Sequence, residues 1–464
     1  MIQWFILIIH VWDNISVSRN RDSKKRIKFL ITLSVSISLF TITVLLVIWS
    51  IFLTDKTRNT YVRSDAEYTE IINKNYIKGF EDISESGEFS FRLREDEIND
   101  LLSDGVKTIN DKHIESICYE KGQDKFHNFY IDLKKMPVKT RVVITSYVND
   151  WNNEKVTLKI YTAKIGKVEA SKYLIRKGYL TEKFLNKYFA ACHLPISFNE
   201  SSKTFEIKAK DYISMFPKGD FANLIWDEIL SIPNSYSINP TTLGINVAFS
   251  NLRTSSSLAK KTFTTDVPNI LEELKEELEA IDFSSMSVGE SRTAYSISLD
   301  EFDHLIIESL PNTKEEVSSS LLSSKATFEL VGSNTSIKND GNLDIAYLYS
   351  VNGYLVDVRQ DVNFNDYSTS YFNAEFSVTN SITFSNKSND KYKSYFGPIF
   401  EEIYKNIAEK QPNLFSFNQV SKALEIDLES MNDSHASASL RNSYKSVVLD
   451  STNKTINFVV QKTV

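Results

Sequence analysis

The sequence predicts an α+β protein: an N-terminal single transmembrane helix followed by two duplicated lobes of curved antiparallel sheet with long amphipathic helices. Three observations carry that reading. An uncharged apolar run stands near the start, a hairpin-like segment occurs twice, and many segments alternate apolar with polar residues as half-buried strands do.

The apolar run FLITLSVSISLFTITVLLVIWSIFL, residues 29–53, contains no charged side chain. At 1.5 Å rise per residue it extends about 37 Å as a helix, enough to cross a bilayer with some tilt. Arg19, Arg21, Lys24, Lys25, Arg26 and Lys28 precede it. A basic flank of that kind predicts a cytoplasmic segment over 1–28 and an extracytoplasmic body anchored in the cell membrane. No small-residue cleavage site follows, which predicts an uncleaved anchor. The run MIQWFILIIHVW (1–12) is too short to span alone and reads either as an interfacial segment or as a start assigned too early. Residues 54–87 read as a stalk, helical to about residue 80.

At 464 residues, with 42% hydrophobic and 24% charged side chains, the chain is globular and long enough for two or three domains. Its 13 glycines and 9 prolines are few, which argues against phosphate-cradling loops and linker-rich designs. The net charge is −7, and because residues 1–28 carry six basic and two acidic groups the remainder is more acidic still. An acidic body excludes nucleic acid as the expected partner.

The body reads as a duplication. ISFNESSKTFEI (196–207) recurs as FSFNQVSKALEI (415–426), with Phe198, Asn199 and Lys203 on Phe417, Asn418 and Lys422. Each pair of strands predicts a hairpin whose turn begins at the Asn, a short amide able to satisfy local backbone groups. The Lys203/Glu206 and Lys422/Glu425 pairs read as surface ion-pair or turn residues. Before each hairpin an amphipathic helix is expected, over about 170–191 (Tyr173, Leu174, Leu180, Phe184, Leu185, Tyr188) and about 391–409 (Tyr392, Tyr395, Phe396, Ile399, Ile403, Ile407). A single offset of 219 puts Tyr173 on Tyr392 and Phe184 on Ile403. FSFRLREDEINDLL (89–102) resembles YSISLDEFDHLII (295–307), each a strand closed by Leu93 or Leu299 and then a helix with Asp96/Glu97 or Asp300/Glu301 in its first turn. The closing strands TTLGINVAF (241–249) and TNKTINFVV (452–460) complete two lobes, 64–253 and 284–464. Between them a linker segment over 254–283 includes DVPNILEELKEELEAIDF, a helix with Asp266 as N-cap and Pro268 in its first turn. The remaining strands, among them RVVITSYV (141–148), KVTLKIYTAKI (155–165) and LDIAYLYSV (343–351), alternate as strands packed on one face do.

Catalytic spacings are missing. His10, His113, His127, His193, His304 and His435 show no zinc-ligand spacing, and Ser257-Leu-Ala-Lys260 lacks the companion motifs of the enzymes that use S-x-x-K. No enzyme, metal or cofactor is expected. Cys118 and Cys192 lack a C-x-x-C spacing and read as two buried thiols, with a disulfide as the alternative in an oxidising compartment.

Two features could bind a ligand. Residues 134–187 hold 13 basic and four acidic side chains, and the strand there presents Lys155, Lys159, Lys164 and Lys167 around Val156, Leu158, Ile160 and Ile165. An anionic headgroup or an anionic envelope polymer fits that pattern, and a solvated face balanced by the acidic second lobe is its plainer reading. The apolar candidate is a groove between helix and curved sheet, with Tyr173, Phe184, Tyr392 and Ile403 facing an acyl chain, and the plainer reading is a filled core.

The basic start, the single anchor, FSFRLREDEINDLL with its Ile98-Asn99 pair, and KIYTAKIGKVEASKYLI with Ile165-Gly166 resemble YpmS-like extracytoplasmic proteins of low-GC Gram-positive bacteria. That resemblance covers about the first half of the chain and implies no catalytic residue. The duplicated layout is also similar to tubular lipid-binding modules, a likeness of fold. In the second copy the Asn is replaced, with His304-Leu305 nearby. The resulting expectation is a non-catalytic envelope protein binding a lipid or other amphiphile. A scaffold acting through envelope protein partners is the alternative, and an envelope hydrolase is the least supported.

Overall fold

A computed structural model describes residues 21–52, 67–134, 140–171, 174, 181–217, 219–252, 259–264, 266–267, 269–367, 369–432 and 438–464. The expectations for residues 1–12, Tyr173, Ser257, Pro268 and His435 lie outside the described residues, as does the stalk before Glu67. Eight described helices have ten residues or more: α1 (Arg21–Phe52), α2 (Tyr68–Gly79), α3 (Glu95–Ile109), α4 (Glu182–Ala191), α5 (Asp220–Ser231), α6 (Ile270–Ala280), α7 (Leu299–Glu308) and α8 (Asp390–Lys410).

Helix α1 is long and apolar enough to cross a membrane over Lys25–Ser50, a stretch of 26 residues. Four of its hydroxyls are satisfied within the helix, an arrangement suited to apolar surroundings. Thr32, Thr41 and Thr43 each donate to the carbonyl four residues back at 2.8 Å, and Ser50 donates to Val47 O at 2.9 Å.

The remainder is α+β, with two curved half-barrel antiparallel sheets. The first sheet contains β2 (Ile114–Lys121), β3 (Phe126–Leu133), β4 (Thr140–Trp151), β5 (Lys155–Ile165), β6 (Val168–Glu169), β7 (Ile196–Asn199) and β8 (Thr204–Lys208). Its order is β2-β3-β4-β5-β8-β7, with β6 on β5. The second contains β12 (Glu315–Val317), β13 (Ala326–Ile337), β14 (Leu343–Val351), β15 (Tyr354–Asp366), β16 (Asn373–Phe384), β17 (Lys387–Ser388), β18 (Phe415–Asn418) and β19 (Ala423–Asp427). Its order is β12-β13-β14-β15-β16-β19-β18, with β17 on β16. With β12 set aside, the two orders are the same. Register shifts between Leu330 and Gly332 and between Gln360 and Val362 are the bulges that let such strands bend.

Two small sheets repeat one another in the same way. In one, β1 (Glu88–Phe91), which precedes the first large sheet, pairs with β10 (Ile245–Ala248), and β10 pairs with β9 (Tyr236–Ile238). In the other, β11 (Ser291–Ser298) pairs with β21 (Thr455–Gln461), and β21 pairs with β20 (Tyr444–Asp450). By contacts the described residues divide into one unit, those within 1–64, 98–148 and 158–205, and another, those within 65–97, 149–157 and 206–464. The opening and closing strands of the first repeat therefore belong to the second unit.

The repeated hairpins share their turn in atomic detail. Asn199 Oδ1 accepts from the amides of Ser201 and Ser202 at 3.0 and 3.1 Å, and Asn418 Oδ1 from those of Val420 and Ser421 at 2.9 and 3.2 Å. Lys203 and Lys422 both take the left-handed conformation, at φ 58° and 57°. Both are turn residues. Neither forms the ion pair with Glu206 or Glu425 raised as one reading of the sequence; Lys422 instead pairs with Glu401 at 3.0 Å.

A second shared device ties each opening helix to its large sheet. The amide of Asn99 on α3 exchanges two hydrogen bonds with the backbone of Tyr119 on β2, at 2.9 and 2.6 Å. The second repeat counts from its cap: Glu301 accepts from Ser298 N at 2.7 Å, as Glu97 does from Arg94 N at 2.8 Å. In that frame the counterpart of Asn99 is Asp303, not a residue of His304-Leu305. Asp303 is fully buried on α7 and accepts from Thr335 N at 3.0 Å, Thr335 Oγ1 at 2.6 Å and Ser333 Oγ at 2.8 Å on β13, and it pairs with Lys261.

Several expected boundaries are corrected. Of the helix expected over 170–191, Ser171 and Leu174 are helical and α4 runs from Glu182, capped by Thr181 Oγ1, while 172–173 and 175–180 lie outside the described residues. Helix α6 begins after Asn269, so Asp266 does not cap it. Leu299 is the first residue of α7 and closes no strand, and β1 ends at Phe91, before Leu93. Strand β14 is buried on both faces through Ile345–Tyr349, because consecutive residues there all contact protein. On one of those faces Tyr347 stacks on Phe400 of α8, with ring centres 4.0 Å apart. Cys118 and Cys192 are free and buried. Burial pushes the Cys192 thiol up to about 12, and its sulfur occupies the space that a side chain at Gly105 would fill.

The buried polar groups carry three predictions. Asp303→Ala leaves the β13 donors unmatched and Lys261 with only the exposed Asp300 as partner, and should cost about 3–5 kcal/mol. Asn99→Ala should cost about 1–3 kcal/mol. Denaturant unfolding of the full chain in detergent checks both. A third concerns His127, a core residue of β3 whose Nδ1 lies 2.8 Å from the Tyr119 hydroxyl. Burial, with the Lys121 ammonium adding to it, pushes this imidazole down to about 4. The unfolded chain takes up that proton near 6.5 while the folded chain does not, so stability falls as pH drops from about 6.5 toward 4, by on the order of 3 kcal/mol. His127→Gln should flatten that part of a stability–pH curve measured by thermal unfolding.

Candidate functional site

Within the second unit lies a cleft of about 1020 Å³, lined from four separate stretches of chain. Glu154 and Lys155 come from the entry to β5, and Lys208 and Lys210 from the end of β8 and the short helix after it (Ala209–Ile213). Leu224, Asp227, Glu228, Leu230 and Ser231 come from α5, with Tyr236 from β9. Asn389, Asp390, Lys391 and Tyr392 come from the start of α8.

Helix α5 shows why a carboxylate sits in this wall. Its sequence DFANLIWDEILS puts Phe221, Leu224, Ile225, Glu228 and Ile229 on one buried stripe, so Glu228 occupies an apolar position and is 3% exposed. The Tyr392 hydroxyl donates to Glu228 Oε2, and Lys387 Nζ lies 3.0 Å from Oε1. Burial, and then the carboxylate, raise the Tyr392 phenol above its usual range and keep it a donor. Lys387 also donates to Ser231 Oγ at 2.7 Å, and Lys391 pairs with Asp227 at 2.7 Å. The amino end of α5 is held by Glu315 of β12, which accepts from Phe221 N at 2.7 Å and Ala222 N at 3.3 Å. Gly219, at the N-cap of α5, leaves room for that carboxylate. Asn389 caps α8 by accepting from Tyr392 N at 3.0 Å, which sets the phenol at the cleft wall.

The sequence-derived candidates divide. Lys155 and Tyr392 both line this cleft. Lys159 and Lys164 are exposed on β5, and Lys167 is exposed in the turn after it. Phe184 is half-buried against Tyr188, with ring centres 4.9 Å apart. Ile403 is wholly buried and is not among the lining residues. Glu228, Lys208, Lys210 and Lys387 escaped sequence reasoning. For Glu228 a signal existed, since a charged residue on an otherwise apolar helical stripe must find a partner.

Chemically the cleft offers ammonium groups, two tyrosines and two leucines beside carboxylates of which Asp227 and Glu228 already have ion-pair partners. Among the described residues no group of three or more His, Cys, Asp and Glu is placed to hold a metal ion. Tyr392→Phe removes the donor to a buried carboxylate oxygen and should cost about 1–3 kcal/mol, whereas Lys391→Ala, at an exposed pair, should cost well under 1 kcal/mol. Urea unfolding of both variants checks the difference.

No family model matches the chain, and no curated protein matches it. Among solved structures it is similar to P47 from Clostridium botulinum A2, at 13% identity over 80% of this chain and 95% of that one, with a TM-score of 0.15. It is also similar to a lipopolysaccharide binding protein, at 9% identity over 85% of this chain and 98% of that one, with a TM-score of 0.14. At these values neither likeness carries an argument.

Proposed function

We propose that this is a membrane-anchored, non-catalytic envelope protein that binds an amphiphile, with the ligand's polar part in the cleft of the second unit. The observation that carries the reading is the cleft itself: its volume is at the upper end for a ligand site, and leucine and tyrosine surface adjoins its charged groups. A helix able to span a membrane would tether such a site to a source of amphiphiles, and its basic flank favours a body outside the cytoplasm. The groove expected between α8 and the second sheet is filled by Ile403, Phe400 and Tyr404, so the cleft is the better seat.

One observation favours a scaffold instead. On the first sheet Phe126, Tyr147 and Tyr161 pack ring against ring at 5.8–6.4 Å, and Tyr161 is 65% exposed. An exposed aromatic cluster of this kind suits a protein contact.

Native mass spectrometry of the full chain, extracted from its membrane in mild detergent, tests the proposal. The expected result is a retained lipid mass that Leu230→Trp, which narrows the cleft, displaces. A wild-type protein free of lipid would sink it, and crosslinking from position 161 to a protein partner would then favour the scaffold.

A further inference from the structure

The cleft's charges are matched at one end and open at the other. Asp227 and Glu228 have Lys391 and Lys387 as partners. Asp390 is the first residue of α8, where the helix dipole stabilises a carboxylate. At the other end the amide of Ala209 donates to Glu154 O at 2.9 Å, which brings Lys155 on one strand beside Lys208, the last residue of its neighbour, and Lys210 in the short helix that follows. All three lysines reach the cleft. Like charges on adjacent strands oppose pairing, and these have little to offset them. Lys208 has only Glu206 at 3.9 Å, Lys155 and Lys210 form no ion pair among the described residues, and Glu154 is the one nearby carboxylate lining the cleft. Leu224, Leu230 and Tyr236 line the same cleft.

We infer that the cleft selects an anionic amphiphile, one whose phosphate or carboxylate head is held by Lys155, Lys208 and Lys210 while its first apolar carbons lie on Leu224, Leu230 and Tyr236. This rests on the amphiphile reading and names its ligand class. An anionic head relieves the repulsion among three ammonium groups, and lysine stems can cover the carbon chain below it. A zwitterionic head would bring its own cation to the same lysines and lose most of that gain.

The test uses the full chain in neutral detergent, offered an anionic phospholipid, a zwitterionic phospholipid of the same acyl chains, or inorganic phosphate, with binding read by native mass spectrometry and by titration. The expected result is a preference of about tenfold or more for the anionic lipid, weakening as salt rises. The Lys155→Gln/Lys210→Gln double variant should lose that preference, and the exposed control Lys325→Gln, outside the cleft, should keep it. Both sites are at the surface, and an unchanged unfolding midpoint shows that the variants are folded. Equal retention of both lipids, or an unaltered preference in the double variant, overturns the inference and leaves amphiphile binding standing. Retention of neither lipid overturns amphiphile binding itself. Phosphate bound as tightly as the anionic lipid assigns the lysines to a free anion and overturns the selection of an amphiphile.

Discussion

In each repeat the strand that opens the fold is hydrogen-bonded to the strand that closes it. Glu88–Phe91 pairs with Ile245–Ala248, and Ser291–Ser298 pairs with Thr455–Gln461. Everything between those strands must leave and return, which is why each large sheet and its helices form an excursion with two fixed ends. The entropic cost of such closure grows only with the logarithm of length, so a long excursion is tolerable once the pairing exists. The opening helix of each repeat is tied to its large sheet through a single buried polar residue, Asn99 or Asp303. That residue bonds main chain, and so sets the register of helix on strand more sharply than apolar contact would.

Much of this was legible in the sequence. An uncharged run of spanning length has few alternatives, and the repeated Asn and Lys of the hairpins are the residues that a tight turn with one left-handed position requires. Alternation revealed the strands, since period-two burial leaves a direct trace. It misled at Ile345–Tyr349, where consecutive apolar residues mark a strand covered on both sides. Equivalences carried by unlike residues stayed hidden. Asn99 and Asp303 do the same work with different chemistry, and only their distance from the helix cap relates them. The cleft was the least legible part, because its walls come from four stretches far apart in the chain. Lys155 and Tyr392 could be named as ligand-facing, but nothing in the order of residues says that they share a cleft.

The cleft also shows how a buried carboxylate can organise a site without reacting. Glu228 holds a tyrosine hydroxyl on one oxygen and a lysine on the other, and so joins α5 to the start of α8 and to β17. Its charge is spent on structure. The charge that remains open is that of the lysines on β5 and after β8, so the asymmetry of the cleft arises from which ions the fold has already neutralised.

The hairpin repeats differ at one informative place. Asn186 on α4 grips the backbone of Phe198 with two hydrogen bonds, at 2.6 and 3.1 Å. An offset of 219 residues puts Lys405 on α8 there, and its ammonium lies 5.3 Å from the centre of the Phe417 ring. An amide that holds peptide groups is indifferent to the side chain they carry, whereas an ammonium over a π face requires an aromatic ring. In the first repeat helix and hairpin can therefore vary independently at this contact. In the second, residues 405 and 417 are free to change only together.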